Sequence, residues 1–385
     1  MLAFYRLLPL ICTAIIFVAS CKEEQPRRSY SDADYKQFTD SLGFAIRTGD
    51  SSYIMRRLNF AEMRSRFLKA VDVGMLAEGD AASVFSTEIS AMVAGLTTRR
   101  DHDLFKHLST QKTGDTAIIY FRSFKDGGVD YLGVKVIPGT EKLLIDDVIL
   151  FSHGMTFEER MIDLYKVAFI DNNKLLPGKD AMLFQISTMI AEIADIDDKI
   201  SRGAGFIAKE KIKQLPSKLQ GSMTVQLLEM RACSFSSDSM RTERLMSRTA
   251  NASKMKTGLY FLTAECCINI SNHLRLLESV NALDEVVHDP MLDVLRGGAY
   301  YGLKKKTEAE TYLKKAVATS SNETRQYCYT SLLRYHVFEN NKEEALALAG
   351  EMLEKASFDK KDLGGIFMLN TALRYDEDVV NFLGY

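Results

Sequence analysis

The apolar residues of this chain change their spacing twice, and that change limits the fold more than any other feature. From Ser31 to about Leu108 they recur at helical intervals: Tyr35, Phe38, Leu42 and Ile46, then Phe60, Met63, Phe67 and Val71, then Phe85, Ile89, Met92 and Leu96. Each set puts one apolar face on a helix. From Thr116 to Phe151 the pattern tightens to that of strands. TAIIYFRSF, VDYLGVKVI and KLLIDDVILF are rich in β-branched and aromatic residues, with turns at Asp126-Gly127 and at PGTE. Helices on one face of a three-stranded antiparallel meander, an α+β unit over residues 32–152, are the expectation.

Beyond residue 152 the strand signal ends. Thr156 with Glu159 three residues later reads as a capping box opening the helix FEERMIDLYKVAF. Short breakers such as LPGKD, SRGAG, SFSSDS, HDP and SSNE separate further helical stretches, so residues 153–385 read as all-α. Within them Gly297, Tyr300, Ala309, Leu313 and Ala316 alternate small and large positions across two helices. Small residues let paired helices approach closely, and the aromatic fills the space between them. A second unit places Tyr329, Leu332, Leu333 and His336 before NNKEE, and Ala345, Ala349 and Met352 after it, with Ala309 and Ala345 36 residues apart.

These spacings resemble the tetratricopeptide repeat, whose period is about 34 residues. The resemblance is clearest over residues 290–356, with helices at 359–385 closing the stack and degenerate pairs upstream from residue 156. It implies a helical-repeat array with a groove, and groove-facing positions at Val294, Tyr301, Tyr327, Thr330 and Arg334. Ordinary packing between repeats is the competing reading for Val294 and Tyr327. Residues 31–152 loosely resemble, by pattern alone, the cone-shaped cystatin or SnoaL-type fold.

The N-terminus carries Arg6, an apolar run from Leu7 to Val18, then Ala19, Ser20 and Cys21. That order is a secretory signal, and the run is shorter than the roughly 20 residues a spanning helix needs. Val18-Ala19-Ser20-Cys21 resembles the lipobox of bacterial lipoproteins. The resemblance implies a signal peptide at residues 1–20, lipidation of Cys21 and a tether at 21–31. Lys22-Glu23-Glu24 is similar to the export signal of Bacteroidetes-type surface lipoproteins, which implies an outer-membrane protein facing the cell exterior, with a periplasm-facing protein as the alternative. Cys233, Cys266, Cys267 and Cys328 sit in apolar helical patterns and read as core residues rather than a disulfide framework.

Catalytic signatures are absent from the sequence: no HExxH, GxSxG, P-loop lysine or Cys-His nucleophile pattern occurs. In DHDLFKH, Asp103 and His107 would share a face if helical, with His102 beside them, but no third metal ligand is placed. GAGFIA at 203–208 mimics a dinucleotide fingerprint without the preceding strand, so a helix break is the simpler reading. Asp146-Asp147 lies within a strand, where strict alternation sets Asp147 with Ile145 and Ile149, and Asp146 with Leu144 and Val148. With 49 basic and 51 acidic side chains, net charge −2, the chain has no broad footprint for nucleic acid. The expectation is a non-enzymatic, lipid-anchored module without cofactor or metal that holds a protein partner. A glycan or small-molecule receptor, SusD-like or working through the α+β unit, is the alternative.

Overall fold

A computed structural model describes residues 29–71, 78–98, 105–125, 128–172, 179–251, 253 and 256–384. Residues 1–28, where a signal segment, lipidation at Cys21 and most of a tether are expected, together with His102, Asp103 and Asp126-Gly127, lie outside the described residues. Four helices open the fold: α1 Asp32–Thr48, α2 Ser51–Arg57, α3 Phe60–Ala70 and α4 Glu78–Thr97. Their apolar stripes are buried as the spacing predicts, Phe38, Leu42, Ile46, Met63, Phe67, Phe85 and Ile89 in one core. α1 begins at a capping box formed by Ser31 and Asp34, which gives two of the first turn's free N–H groups an acceptor.

The sheet has five strands rather than three. β1 Lys106–Thr113, β2 Thr116–Lys125, β3 Gly128–Pro138, β4 Leu143–Leu150 and β5 Met155–Thr156 form an antiparallel meander in chain order. The helical region therefore ends at Thr97, and Leu108 belongs to a strand. β1, sequence KHLSTQKT, is an edge strand whose side chains are exposed or half-buried, so no apolar alternation marks it. β5 is two residues long and pairs only with the end of β4.

Both faces of the sheet are covered, where helices on one face were expected. Ala117, Ile119, Phe121, Leu132, Val134 and Ile145 meet the N-terminal helices. Tyr120, Tyr131, Ile149 and Phe151 meet helices from the second half of the chain. Gly154, at φ 71°, marks a close approach: a Cβ there would stand 2.7 Å from Leu262. A bulge between Lys135 and Val136 pairs Lys135 with Asp147 and Val136 with Ile145, leaving Asp146 as the extra residue. Strict alternation in β4 is thereby broken, so Ile145 and Val148 share one core while Ile149 joins the other.

The C-terminal part is largely helical: α5 Phe157–Asn172, α6 Lys179–Ser201, α7 Gly205–Gln214, α8 Ser217–Gln220, α9 Met223–Phe235, α10 Ser239–Thr249, α11 Lys256–Asn269, α12 His273–Val287, α13 Leu292–Gly302, α14 Lys306–Thr319, α15 Asn322–Phe338, α16 Lys342–Lys355, α17 Lys360–Phe367, α18 Thr371–Arg374 and α19 Glu377–Leu383. The capping box at Thr156 and Glu159 forms as expected. The first closing helix, expected to run from Asp359 to Tyr375, is instead interrupted after Phe367, and Asn370 caps a new turn.

Five hairpins, α6/α7, α9/α10, α11/α12, α13/α14 and α15/α16, share one turn. A left-handed residue stands at Gly203, Ser237, Ser271, Lys304 and Asn340, at intervals of 34, 34, 33 and 36 residues. The next N–H donates to the carbonyl five residues back each time: Ala204 to Lys199, Asp238 to Cys233, Asn272 to Cys267, Lys305 to Tyr300 and Asn341 to His336, at 2.8–2.9 Å. This is the Schellman closure, which satisfies carbonyls at the end of the first helix. Five residues after each left-handed residue stand Ala208, Thr242, Leu276, Ala309 and Ala345, none more than 3% exposed. A Cβ on Gly297 would meet Leu313 at 2.6 Å, so α13 and α14 touch as closely as the small residue suggests.

Array and sheet are joined by a buried carboxylate. Asp289, in the turn between α12 and α13, accepts Arg122 Nη1 of β2 and the Tyr131 hydroxyl of β3, the latter at 2.8 Å. It also accepts the Met291 N–H at 3.1 Å. Burial and the neighbouring Asp289 charge raise the Tyr131 pKa well above its ordinary value, so the phenol stays a donor. Asp289→Asn removes the carboxylate charge that faces the buried Arg122, and a loss of about 3–5 kcal/mol is expected in urea unfolding. Glu351→Gln, at a partly exposed pair with Lys355, should cost about 1 kcal/mol or less in the same assay.

Candidate functional site

A cleft of about 1220 Å³ opens between the array and the N-terminal half of the fold. One wall comes from α4, α5 and the ends of β2 to β5, through residues such as Met92, Tyr131, Met155, Phe157 and Met161. The other wall comes from the first helix of every hairpin, and always from the same face. Ile190, Met291 and Tyr327 stand thirteen residues before the left-handed turn residue of their hairpins, Arg231 and Glu265 six before, Ser201 and Phe235 two before. The common register follows from the common turn, which fixes the rotation of each first helix relative to the next. Most of the lining is apolar, with four methionines, Met92, Met155, Met161 and Met291. Unbranched thioether side chains adapt to varied shapes.

A ladder of charges crosses the array side. Asp197, Arg231 and Glu265 occupy one register position in three successive hairpins, on α6, α9 and α11. Arg231 Nη1 lies 2.9 Å from Asp197 Oδ1, and its Nε 3.2 Å from Glu265 Oε2. From the opposite side His153 Nε2 reaches Asp197 Oδ2 at 3.1 Å, while Arg160 Nη1 lies 2.7 Å from His153 Nδ1. The same Nη1 also lies 3.0 Å from Nε2, and because an arginine only donates, its approach to the ring nitrogens favours the neutral imidazole. Burial and the Arg160 charge push the His153 pKa down accordingly. Burial opposes ionisation of Asp197, but His153, Arg160 and Arg231 outweigh it and hold the carboxyl below its usual range.

The remaining lining acids are engaged as well. Glu88 accepts the Tyr165 hydroxyl at 3.0 Å, and Asp130 accepts the Tyr131 N–H at 2.8 Å. Arg160 differs, because among the described residues no carboxylate lies within ion-pair distance of it and its Nε and Nη2 make no hydrogen bond.

The groove positions expected from sequence are distributed unevenly. Tyr327 lines the cleft. Tyr301 is half-buried and meets the Tyr335 ring edge-on at 5.7 Å, outside the cleft. Thr330 is half-buried and Arg334 exposed on the α15 surface beyond the cleft, and Val294 is buried in the core of the last hairpins. His107 stands on β1 with Nε2 3.0 Å from the Thr110 hydroxyl. Among the described residues no group of three His, Cys, Asp or Glu side chains could hold a metal ion. GAGFIA spans the turn between α6 and α7, with Gly203 in the left-handed region at φ 74°. Cys233, Cys266, Cys267 and Cys328 are buried, with no disulfide among them. No helix among the described residues is long and apolar enough to cross a membrane.

The Asp146-Asp147 pair lies apart from the cleft lining. Asp146 accepts Asn59 Nδ2 at 3.0 Å, Arg66 Nη1 at 2.9 Å and Lys135 Nζ at 2.7 Å. Asp147 accepts the N–H of Val148 at 2.8 Å and of Glu158, in the first turn of α5, at 3.1 Å. The pair thus fastens α3 and α5 to the bulged strand. Sequence reasoning missed Arg160, His153, Arg122 and Asp289. The ladder did carry a signal: Asp197, Arg231 and Glu265 are spaced 34 and 34 residues apart. Comparison with protein-family models, with curated proteins and with solved structures finds no match.

Burial pushes the Asp147 carboxyl up to about 7. From roughly pH 4, the unfolded value, to that point the folded chain keeps a proton the unfolded chain has lost, so this group's contribution to stability falls as pH rises. Asp147→Asn removes that titration and can keep both backbone bonds. Its stability relative to wild type should therefore improve between pH 5 and pH 8, by at most ~3 kcal/mol, in paired urea titrations. A difference independent of pH would refute the assignment.

Proposed function

We propose that this chain is a lipid-anchored outer-membrane protein, facing the cell exterior, whose array of tetratricopeptide-like hairpins holds a protein partner. The observation that carries this reading is the common first-helix face of the five hairpins. It supplies one continuous surface, of which residues on α6, α9, α11, α13 and α15 line the cleft. The turn intervals of 34, 34, 33 and 36 residues support the repeat assignment, because stacked units of that period bury a shared core and leave the first helices lining a groove. Extended segments and amphipathic helices are the usual occupants of such surfaces. The anchor rests on the sequence alone, on Val18-Ala19-Ser20-Cys21 at the end of an apolar leader.

A second reading, a receptor for a small molecule, is favoured by the wall opposite the array. The sheet ends, α4 and α5 cover part of the first-helix face, so the space left there is a cleft rather than an open groove. Pockets for small ligands commonly enclose about 300–1,000 Å³, and this cleft is of that order.

Crosslinking on intact cells, followed by purification through a C-terminal tag, separates the two readings. A stoichiometric protein joined to α13 or α15, and lost in Tyr301→Ala/Arg334→Glu, is expected for the partner reading. Crosslinks confined to other surfaces would refute it. Cys21→Ser should move the protein from the membrane to the soluble fraction, and unchanged membrane retention would refute the lipid anchor.

A further inference from the structure

We infer that the cleft receives an amphiphile with one anionic head and a long apolar body, the head held by Arg160. This inference rests on the receptor reading of the cleft and gives its ligand a chemical class. Three observations carry it. The first is composition: the lining is mostly aliphatic, aromatic and thioether side chains, and it crosses the first helices of all five hairpins. Such a surface offers a long apolar body burial without a matching set of hydrogen-bonding groups.

The second is the distribution of charge. The lining acids are already engaged, Glu88 by the Tyr165 hydroxyl, Asp130 by the Tyr131 N–H and Glu265 by Arg231. Arg231 is held between Asp197 and Glu265. Arg160 alone among the described lining cations has no carboxylate within ion-pair distance. Arg160 acts on Asp197 only across His153, so a direct ion pair at its guanidinium is still open to an anionic head.

The third is geometry. Arg160 spends only Nη1, on His153. Its Nε and Nη2 are left for a ligand, and that pair is the edge of the guanidinium that meets a carboxylate or phosphate through two parallel bonds. His153, pinned between Arg160 and Asp197, fixes the guanidinium in place rather than competing for the anion.

The test uses the mature full chain with four probes: oleate, oleyl phosphate, oleyl alcohol and octanoate, titrated by calorimetry at fixed salt. Saturable binding of oleate or oleyl phosphate at one per chain is expected, the tighter of the two identifying the head group. Oleyl alcohol should bind at least tenfold more weakly, and so should octanoate. Arg160→Gln should weaken oleate at least tenfold and leave oleyl alcohol unchanged, while Leu295→Trp, which fills the cleft, should abolish both with an unaltered melting temperature. Absence of binding by both anionic probes, or equal binding of oleate to wild type and Arg160→Gln, would overturn the inference. Native mass spectrometry of the purified protein distinguishes the two levels of failure. A different retained molecule, lost in Leu295→Trp, would overturn the amphiphile and keep the receptor reading, whereas an empty cleft with no anionic binding would overturn both.

Discussion

The buried carboxylate of Asp289 sets the relation between the two halves of this fold. It is fully enclosed, and it meets a guanidinium and a phenol that come from adjacent strands. A charge pair without solvent contact is costly unless geometry is good and the remaining lone pairs are satisfied. Here Arg122, Tyr131 and the Met291 N–H share the two oxygens. The position of the α12–α13 turn on the sheet is thereby specified, because any slip would leave a buried charge alone. Around this point Ile149 and Phe151 of the strand end meet Leu259 and Leu262 of α11 in one apolar core.

Everything on the cleft follows from that registration. The five hairpins repeat one turn, so their first helices present one face, and the sheet is pinned against part of it. The remainder is bounded by α4 and α5 on one side and by α6, α9, α11, α13 and α15 on the other. The ladder Asp197–Arg231–Glu265 joins successive first helices, and His153 with Arg160 ties the ladder to the segment between β4 and α5.

Much of this was legible in the sequence. The stripes through Leu42, Met63 and Phe85 and the strands TAIIYFRSF, VDYLGVKVI and KLLIDDVILF appear where their periods place them, because each element buries one apolar face. β1 was hidden because an edge strand in KHLSTQKT keeps polar side chains and takes its order from β2. The bulge at Asp146 was hidden because alternation assumes unbroken pairing. The turn period was hidden for a conformational reason: the left-handed position is glycine only at Gly203, and serine, lysine or asparagine elsewhere. Asp289 lay within HDP, a breaker by composition, and only the fold brings it to Arg122. Of the groove positions, Tyr327 reaches the cleft, while Tyr301, Thr330 and Arg334 lie outside its lining.

Sheet and array form one interlocked body with the cleft built between them. Hydrogen exchange of the protein in low urea, read segment by segment, probes this interlock. Amides of β2 to β4 and of α11 to α13 are expected to open together, with one free energy and one urea dependence. Separate opening of the sheet while α11 to α13 stay protected would contradict it.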